Sequence, residues 1–182
     1  MWFKRAIGSL ASNAYAGLHC YGSVNDNVDQ AYPDCIVTEI AGSSGVMGCN
    51  SQHDIEIKDE DGVTQSIGKL TNKRRVYRLR VRAQDTASAD GQQLVENILD
   101  AIEDAVTSRS MDGQPSITDP VTPSTTLQVR SIEITNRSNI PPDTKARSIL
   151  YQGSISIAIE FGKTITKSVT QTINSITEDN DV

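Results

Sequence analysis

The segment from Ile149 to Phe161 constrains the fold more than any other part of the sequence. Every second residue in it is apolar or glycine, and most of the residues between are small or polar. A strict period of two is the pattern of a β-strand with one buried face, because successive side chains point to opposite sides of a sheet. We therefore predict a long strand here, in a sheet that packs one face against a core.

A second alternating segment, residues 74–83, is basic. Its apolar positions, from Tyr77 to Ala83, alternate with arginines, so one face is apolar and the other is cationic. One interpretation is a solvated face of an antiparallel sheet, paired across strands with acids. The other is a contact surface for a second molecule. The candidate contact residues on this strand are Arg74, Arg75, Arg78, Arg80 and Arg82.

An acidic hairpin is predicted immediately before the basic strand. Ile55 and Ile57 alternate with charged residues, Asp61-Gly62 is a turn dipeptide, and residues 63–70 can form the return strand, so the hairpin can stand out as an arm. Acidic and basic patches on one chain can join copies head to tail in a ring, provided that they do not pair within the chain. The candidate acidic residues are Asp54, Glu56, Asp59, Glu60 and Asp61.

Two helices are predicted. Residues 89–108 carry apolar side chains at i, i+4 and i+8 spacing, and Ser88 or Asp90 can cap the free amides at the start. Residues 2–15 carry a similar stripe and form a shorter amphipathic helix. With a further strand at 35–40, the predicted fold class is α+β: a mixed, mainly antiparallel sheet with the long helix packed on it and a short N-terminal helix.

The predicted domain organisation is simple. A chain of 182 residues can bury one sizeable core, and nothing in the composition demands a second one. Residues 110–125 are rich in Gly, Pro, Ser and Thr and are predicted to form a loop. We predict a single α+β domain over residues 1–162 and a C-terminal extension or arm over residues 163–182. The extension is rich in Ser and Thr, so it either docks on a partner or frays.

Charge and hydropathy argue against several classes of function. The formal net charge of −6 disfavours general nucleic-acid binding, because that affinity comes largely from Lys and Arg neutralising phosphates. No window approaches the roughly 20 apolar residues of a membrane span. The modestly apolar stretch after Arg5 is broken by Gly8 and Ser9, so it is too short for the core of a signal peptide.

No arrangement of residues predicts catalysis, a metal or a cofactor. The sequence has no phosphate-binding loop of the G-x-x-x-x-G-K-S/T type, no G-x-S-x-G elbow and no H-E-x-x-H motif. Cys20, Cys35 and Cys49 form no CxxC pair and have only His19 and His53 as companions, which makes a poor zinc site. We predict buried or incidental thiols in a reducing compartment, and a protein that is not an enzyme.

Taken in order, four pieces of the sequence resemble the tail terminator proteins of long-tailed bacteriophages. They are the short N-terminal helix, the strand entered through residues 32–37, the Arg-rich strand that leads through Gln84-Asp85-Thr86 into the helix at 90–106, and the late strand at 151–159. The resemblance covers about residues 3 to 162 and lies in the order of these elements.

The resemblance implies a small α+β subunit that forms a hexameric ring on the head-proximal end of the tail tube. Such a ring stops growth of the tube and gives the head connector a docking surface. The implied location is the tail or neck of the virion, after assembly in the host cytoplasm. The implied partners are further copies of the chain, the tail-tube protein, the head–tail connector or stopper protein and, as an open alternative, the sheath protein.

Three other readings stay open at this point. A tail-tube or other neck subunit is also a β-rich protein that forms rings, but it polymerises into long tubes. A monomeric binding module predicts one small species with a surface cleft. An enzyme predicts ionisable groups with shifted pKa values that converge in such a cleft.

Overall fold

The computed structural model describes residues 2–22, 31–41, 45–46, 52–62, 64–87, 89–113, 115–143 and 149–168. Within these ranges there are two helices and nine strands. The helices are α1 (Trp2–Ala14) and α2 (Gly91–Met111), and the strands are β1 (His19–Tyr21), β2 (Asp34–Glu39), β3 (Gly45–Val46), β4 (Gln52–Lys58), β5 (Thr64–Gln84), β6 (Ser116–Thr118), β7 (Thr126–Gln128), β8 (Ser131–Asp143) and β9 (Leu150–Ser168).

Seven of the described strands form one sheet. Five lie in the order β1-β2-β5-β9-β8, in which β1 and β2 are parallel and the other neighbours are antiparallel. β3 and β4 pair with the N-terminal half of β5, and β6 and β7 make a small separate sheet. The predicted α+β class, with a mixed and mainly antiparallel sheet, is confirmed.

The core lies between the sheet and the helices. Alternate residues of β5 and β9 point toward the apolar stripe of α2, as the period of two predicts. The central side chains are at most 1% exposed: Tyr77, Leu79, Val81, Ile98, Leu99, Ile102, Ile155, Ile157 and Ile159. α1 adds its own buried face, so both predicted helices are confirmed and together cover one side of the sheet.

Two local features position α2. A Cβ atom at Gly153 would lie 2.7 Å from Leu99 Cδ1 and 2.9 Å from Val95 Cγ1, so the close approach of helix and strand requires glycine. At the start of the helix, the Asp90 side chain accepts hydrogen bonds from two backbone N–H groups of the first turn, at 2.8 and 3.3 Å. These two bonds satisfy backbone N–H groups that otherwise have no partner in the first turn of the helix. Neither described helix is long and apolar enough to cross a membrane.

Several predicted boundaries differ from the structure. Residues 64–84 form one continuous strand instead of two, because β9 pairs with residues 66–84 and residues 71–73 contain no Gly or Pro to end the strand. The predicted loop at 110–125 contains the end of α2 and all of β6. Residues 141–143, which include two prolines, are the end of β8, an edge strand, where proline is tolerated and the register shifts. Strand β1 was not predicted.

We use the name "arm" for the part of the sheet formed by β4, residues 64–71 of β5 and residues 163–168 of β9. Among the side chains that the structure describes, the buried residues of β5 begin at Val76 and those of β9 end at Phe161. The arm therefore lies beyond the part of the sheet that the helices cover.

The predicted boundary at residue 162 falls inside β9. The backbone of this strand continues without interruption to Ser168, and residues 163–168 pair with residues 66–71. The division into a domain at 1–162 and an extension at 163–182 stays a prediction, and residues 169–182 lie outside the described residues.

Candidate subunit interface

The arginine row of β5 is only partly a surface feature. Because Tyr77 and Leu79 point into the core, the alternation of the strand places Arg78 and Arg80 on the opposite face of the sheet, away from both described helices. Both arginines are exposed. The other candidate arginines of this strand have different surroundings, and each bears differently on the predicted contact surface.

Arg82 is a structural residue in the sheet. Its Nε donates a hydrogen bond of 2.8 Å to Asp34 Oδ1, and its Nη2 pairs with Asp34 Oδ2. Asp34 is 0% exposed and Arg82 is 9% exposed. The hydrogen bond to Asp34 raises the pKa of the Arg82 guanidinium above its ordinary value, against the opposing effect of burial. This pair joins β2 to β5, so Arg82 is not free to meet another molecule.

Three of the remaining arginines also have partners within the chain. Arg74 Nη2 lies 3.0 Å from Glu133 Oε1. Arg75 Nε lies 3.8 Å from Glu39 Oε1, and its guanidinium lies 5.2 Å from the ring centroid of Phe3. The Arg80 guanidinium donates a hydrogen bond to the side chain of Gln152. The interpretation of a cationic face paired across strands therefore accounts for Arg74 and Arg75.

Arg78 differs from these four. It is exposed and forms no ion pair with any residue that the structure describes. Its strand neighbours are uncharged: Thr38 on β2 and Ser156 on β9. A guanidinium on an open sheet face with uncharged neighbours is available to a carboxylate of another molecule.

The acidic residues lie at the tip of the arm. We use the name "acidic turn" for Glu56, Asp59, Glu60 and Asp61, all of which are exposed. The backbone N–H of Asp61 donates to Asp59 Oδ1 at 3.1 Å, and Gly62 has a φ of 79°, which glycine adopts without strain. Lys58 Nζ lies 3.4 Å from Glu56 Oε2. The backbone of Asp54 pairs with Lys69, while its side chain lies outside the described part.

The acidic turn and Arg78 lie far apart along one strand. Thr64, at the arm's tip, and Arg78 are 14 positions apart on β5. A strand rises about 3.3 Å per residue, so this separation is about 46 Å. Since β4 and β9 hold β5 extended over this distance, the two groups do not meet within one chain. Any contact between them requires two copies.

Three ion pairs that the sequence did not predict join elements outside this surface. Arg5 Nη2 lies 2.9 Å from Asp119 Oδ2, which connects α1 to the segment after β6. Arg137 Nη1 lies 2.6 Å from Asp100 Oδ1 and 2.9 Å from Glu103 Oε2, which connects β8 to α2. Arg5 and Asp119 are 114 positions apart in the sequence, and Arg137 and Glu103 are 34 positions apart. No local sequence pattern signals pairs between residues so far apart.

The Asp119 carboxyl responds to opposing influences. Its burial disfavours the charged form, but hydrogen bonds from the backbone N–H of Val121 and from Arg5 favour it. The net result is a pKa below the ordinary value of 3.8.

The described residues also include a hollow of about 250 Å³ between α2, the end of β8 and β9. Val95, Glu96, Ile140 and Tyr151 are among the residues that line it. Within the described ranges, no three His, Cys, Asp or Glu side chains lie together in a group that could hold a metal ion. The lining brings one carboxylate, that of Glu96, together with amide and apolar side chains, which alone is not a catalytic arrangement.

Comparison with known proteins adds little. No protein-family model matches the chain, and no curated protein matches it. Among solved structures there is a weak similarity to the tube terminating cap of the anti-feeding prophage, determined by cryo-EM. The two chains are 14% identical, the match covers 82% of this chain and 100% of the cap chain, and the TM-score is 0.20.

Proposed function

We propose that this chain is a tail terminator, a structural virion protein that forms a ring on the head-proximal end of a tail tube. The ring ends the growth of the tube and presents a docking surface to the head connector. The order of elements over residues 3–162, which resembles that family, supports the assignment. The tail-tube protein and the connector or stopper protein are its partners, with the sheath protein as a further candidate.

The proposed ring is supported by one observation: groups of opposite charge lie far apart on the same chain. The acidic turn and Arg78 are both exposed and lie about 46 Å apart on β5 by the rise of a strand. Two different patches that can meet only between copies make a heterologous contact, which closes into a ring when the rotation between copies permits.

In this arrangement the arm of one copy reaches the open sheet face of the next. The acidic turn meets Arg78, with Arg80 beside it on the same face. Arg74, Arg75 and Arg82 act through their partners within the chain, so they support the sheet beneath the contact. Asp54 and Glu56 lie on β4, where they add negative charge to the arm that docks.

Three alternatives predict different behaviour of the purified protein. A tail-tube or other neck subunit polymerises into long tubes. A monomeric binding module gives one small species that ignores tail tubes. An enzyme uses a cleft such as the hollow lined by Glu96 and Tyr151, and turns over a substrate there.

The first experiment measures the mass and shape of the purified protein by light scattering and negative-stain microscopy. A discrete ring near six copies supports the terminator. Open tubes shift the assignment to a tube subunit. If the protein is instead a monomer, it is then mixed with purified tail tubes, and failure to cap the tubes contradicts the proposal.

A charge reversal tests the contact itself. The variant Arg78→Glu places a carboxylate opposite the acidic turn, so half-assembly should need at least about a tenfold higher protein concentration. The difference should be smaller at a pH where the acids are protonated than at high pH, because the opposed charges are then lost. The matched control is Arg130→Glu, which makes the same change at an exposed arginine away from the contact. Adding Asp61→Arg to Arg78→Glu should restore assembly, and equal assembly of all four proteins contradicts the contact.

A further inference from the structure

Two cysteines lie directly opposite each other on the short parallel strands at the edge of the sheet. The register of β1 and β2 pairs Cys20 with Cys35. Neighbouring strands lie about 4.7 to 4.9 Å apart, which falls within the separation of about 4.4 to 6.8 Å between Cα atoms that a disulfide spans. Both cysteines are free thiols in this structure. The sequence alone gave no sign of this, since 14 residues separate the two positions.

The surroundings of the two sulfur atoms are unequal. Cys35 is 0% exposed and belongs to the core, whereas Cys20 is only partly buried. α1 lies over Cys20, because a Cβ atom at Gly8 would be 3.5 Å from Cys20 Cβ. An oxidant in solution therefore reaches Cys20 before it reaches Cys35.

Hydrogen bonding makes the same distinction. A hydrogen bond with the Cys35 thiol lowers the pKa of Cys20, with a contribution from Ser12 on α1 and against the effects of burial and of the Asp34 charge. The bond with Cys20, followed by burial, raises the pKa of Cys35. The thiolate is the nucleophilic form, so the lowered pKa of Cys20 agrees with its greater exposure in making it the attacking group.

We infer that Cys20 and Cys35 are a redox-active dithiol, in which a hydroperoxide oxidises Cys20 and Cys35 then closes an intramolecular disulfide. In the first step the Cys20 thiolate attacks one oxygen of hydrogen peroxide, the O–O bond breaks, and the departing hydroxide takes a proton to become water. Cys20 is then a sulfenic acid.

The second step uses the buried partner. The sulfur of Cys35 attacks the sulfenic sulfur, the S–S bond forms, and the S–O bond breaks. The leaving hydroxide and the proton of the Cys35 thiol give a second water molecule. Two thiols and one hydrogen peroxide thus give one disulfide and two waters. The product joins β1 covalently to β2 and closes the loop between them. A reducing cytosol keeps the dithiol form, and an oxidising medium favours the disulfide.

The test treats the intact, folded chain with an equimolar amount of hydrogen peroxide and maps its disulfides under non-reducing conditions. All three cysteines lie in one tryptic peptide, because no Lys or Arg occurs between Arg5 and Lys58. Cleavage at Asp26 or Asp29 separates Cys20 from Cys35, and cleavage at Glu39 separates Cys35 from Cys49. The expected product is a chain lighter by two hydrogen atoms, with Cys20 linked to Cys35 and one thiol still free.

Three variants and a denatured control complete the design. Cys49→Ser should oxidise like the natural chain. In the Cys49→Ser background, Cys35→Ser should stop at a sulfenic acid on Cys20 that a cyclic diketone probe captures. In the same background, Cys20→Ser should react at least about tenfold more slowly, because Cys35, the thiol that remains, is buried. In denaturant the preference for Cys20–Cys35 over Cys35–Cys49 should disappear, because loop lengths of 15 and 14 residues close equally well.

Other products overturn the inference. They are a bridge that includes Cys49 in the folded chain, a bridge between two chains, or a sulfinic acid on Cys20 with Cys35 still a thiol. None of these outcomes bears on ring formation, so the proposed function stands or fails separately.

Discussion

The helix-covered part of the sheet and the arm are built from the same two long strands but are stabilised differently. Beneath the helices, β5 and β9 bury alternate side chains against α1 and α2. In the arm, the same strands run on with β4, and described residues such as Ile57, which is 48% exposed, face solvent. The covered part gains its stability from the burial of apolar surface, and the contacts that the structure describes within the arm are backbone pairs between strands.

This difference separates folding from function. A substitution in the covered part should change the free energy of unfolding of a single chain. A substitution in the arm should leave that free energy nearly unchanged and alter contacts between chains. Four predictions, in descending order of expected effect, test this division.

The largest effect is expected from the buried ion pair. Asp34→Asn removes the carboxylate charge that the Arg82 guanidinium faces at a position that is 9% exposed, so the free energy of unfolding should fall by about 3 to 5 kcal/mol. Urea unfolding followed by circular dichroism measures this loss. The matched control in the arm is Lys58→Gln, which breaks the exposed pair with Glu56 and should cost at most about 1 kcal/mol. Similar losses for the two variants contradict the division.

A cavity in the core should cost nearly as much. Leu99→Ala removes a fully buried side chain from the contact between α2 and Gly153, and the expected loss is about 2 to 5 kcal/mol. Ile57→Ala removes a comparable side chain from the arm and should change the free energy of unfolding by about 0.5 kcal/mol or less. The same denaturation measurement applies. An arm variant that loses as much as the core variant shows that the arm carries part of the folding core.

Removal of the helix cap should have a smaller effect. Asp90→Ala leaves two N–H groups in the first turn of α2 without their partner, which should lower the free energy of unfolding by about 1 kcal/mol. Asp112→Ala is the control at the other end of the helix, because there the backbone N–H makes the capping bond to Arg109. Thermal unfolding midpoints should drop for the first variant and stay within error for the second. Equal drops mean that Asp90 does not act as a cap.

The smallest effect should appear only in acid. The folded-state pKa of Asp119 lies below its ordinary value of 3.8, so the unfolded chain binds a proton more readily. The stabilisation is therefore complete above about pH 4 and is lost as the pH falls through the folded-state value. Asp119→Asn should be less stable than the natural chain at pH 6, and the difference should shrink toward pH 3. A difference that is constant over this range contradicts the lowered pKa of Asp119 in the folded chain.

Periodicity made much of this fold predictable. The alternation at 149–161 and 74–83 located β9 and the C-terminal half of β5, and the stripe at 89–108 located α2, because each pattern reports which side of an element is buried. The joining of residues 63–70 to the basic strand escaped prediction, since a long strand needs partners on both sides and those partners come from distant residues. β1 escaped because three residues are too few to show a period.

The sequence predicted which charged residues make up the candidate contact surface. It did not predict which of them are paired within the chain. Alternation correctly separated Arg78 and Arg80 from the apolar face of β5. It could not show that Arg82 is buried against Asp34, 48 positions away, or that Arg74 and Arg75 have acidic partners on other strands. Whether the acidic turn meets Arg78 in another copy remains a prediction.

The amino-acid sequence by itself determined the two helices, the C-terminal half of β5 and most of β9, and which face of each is apolar, because these properties depend on residues close together in the chain. The tertiary structure decided which charges are neutralised, where the arm leaves the core and that Cys20 stands opposite Cys35. Those outcomes depend on strand order and register, which bring distant residues within bonding distance only when the whole sheet has assembled.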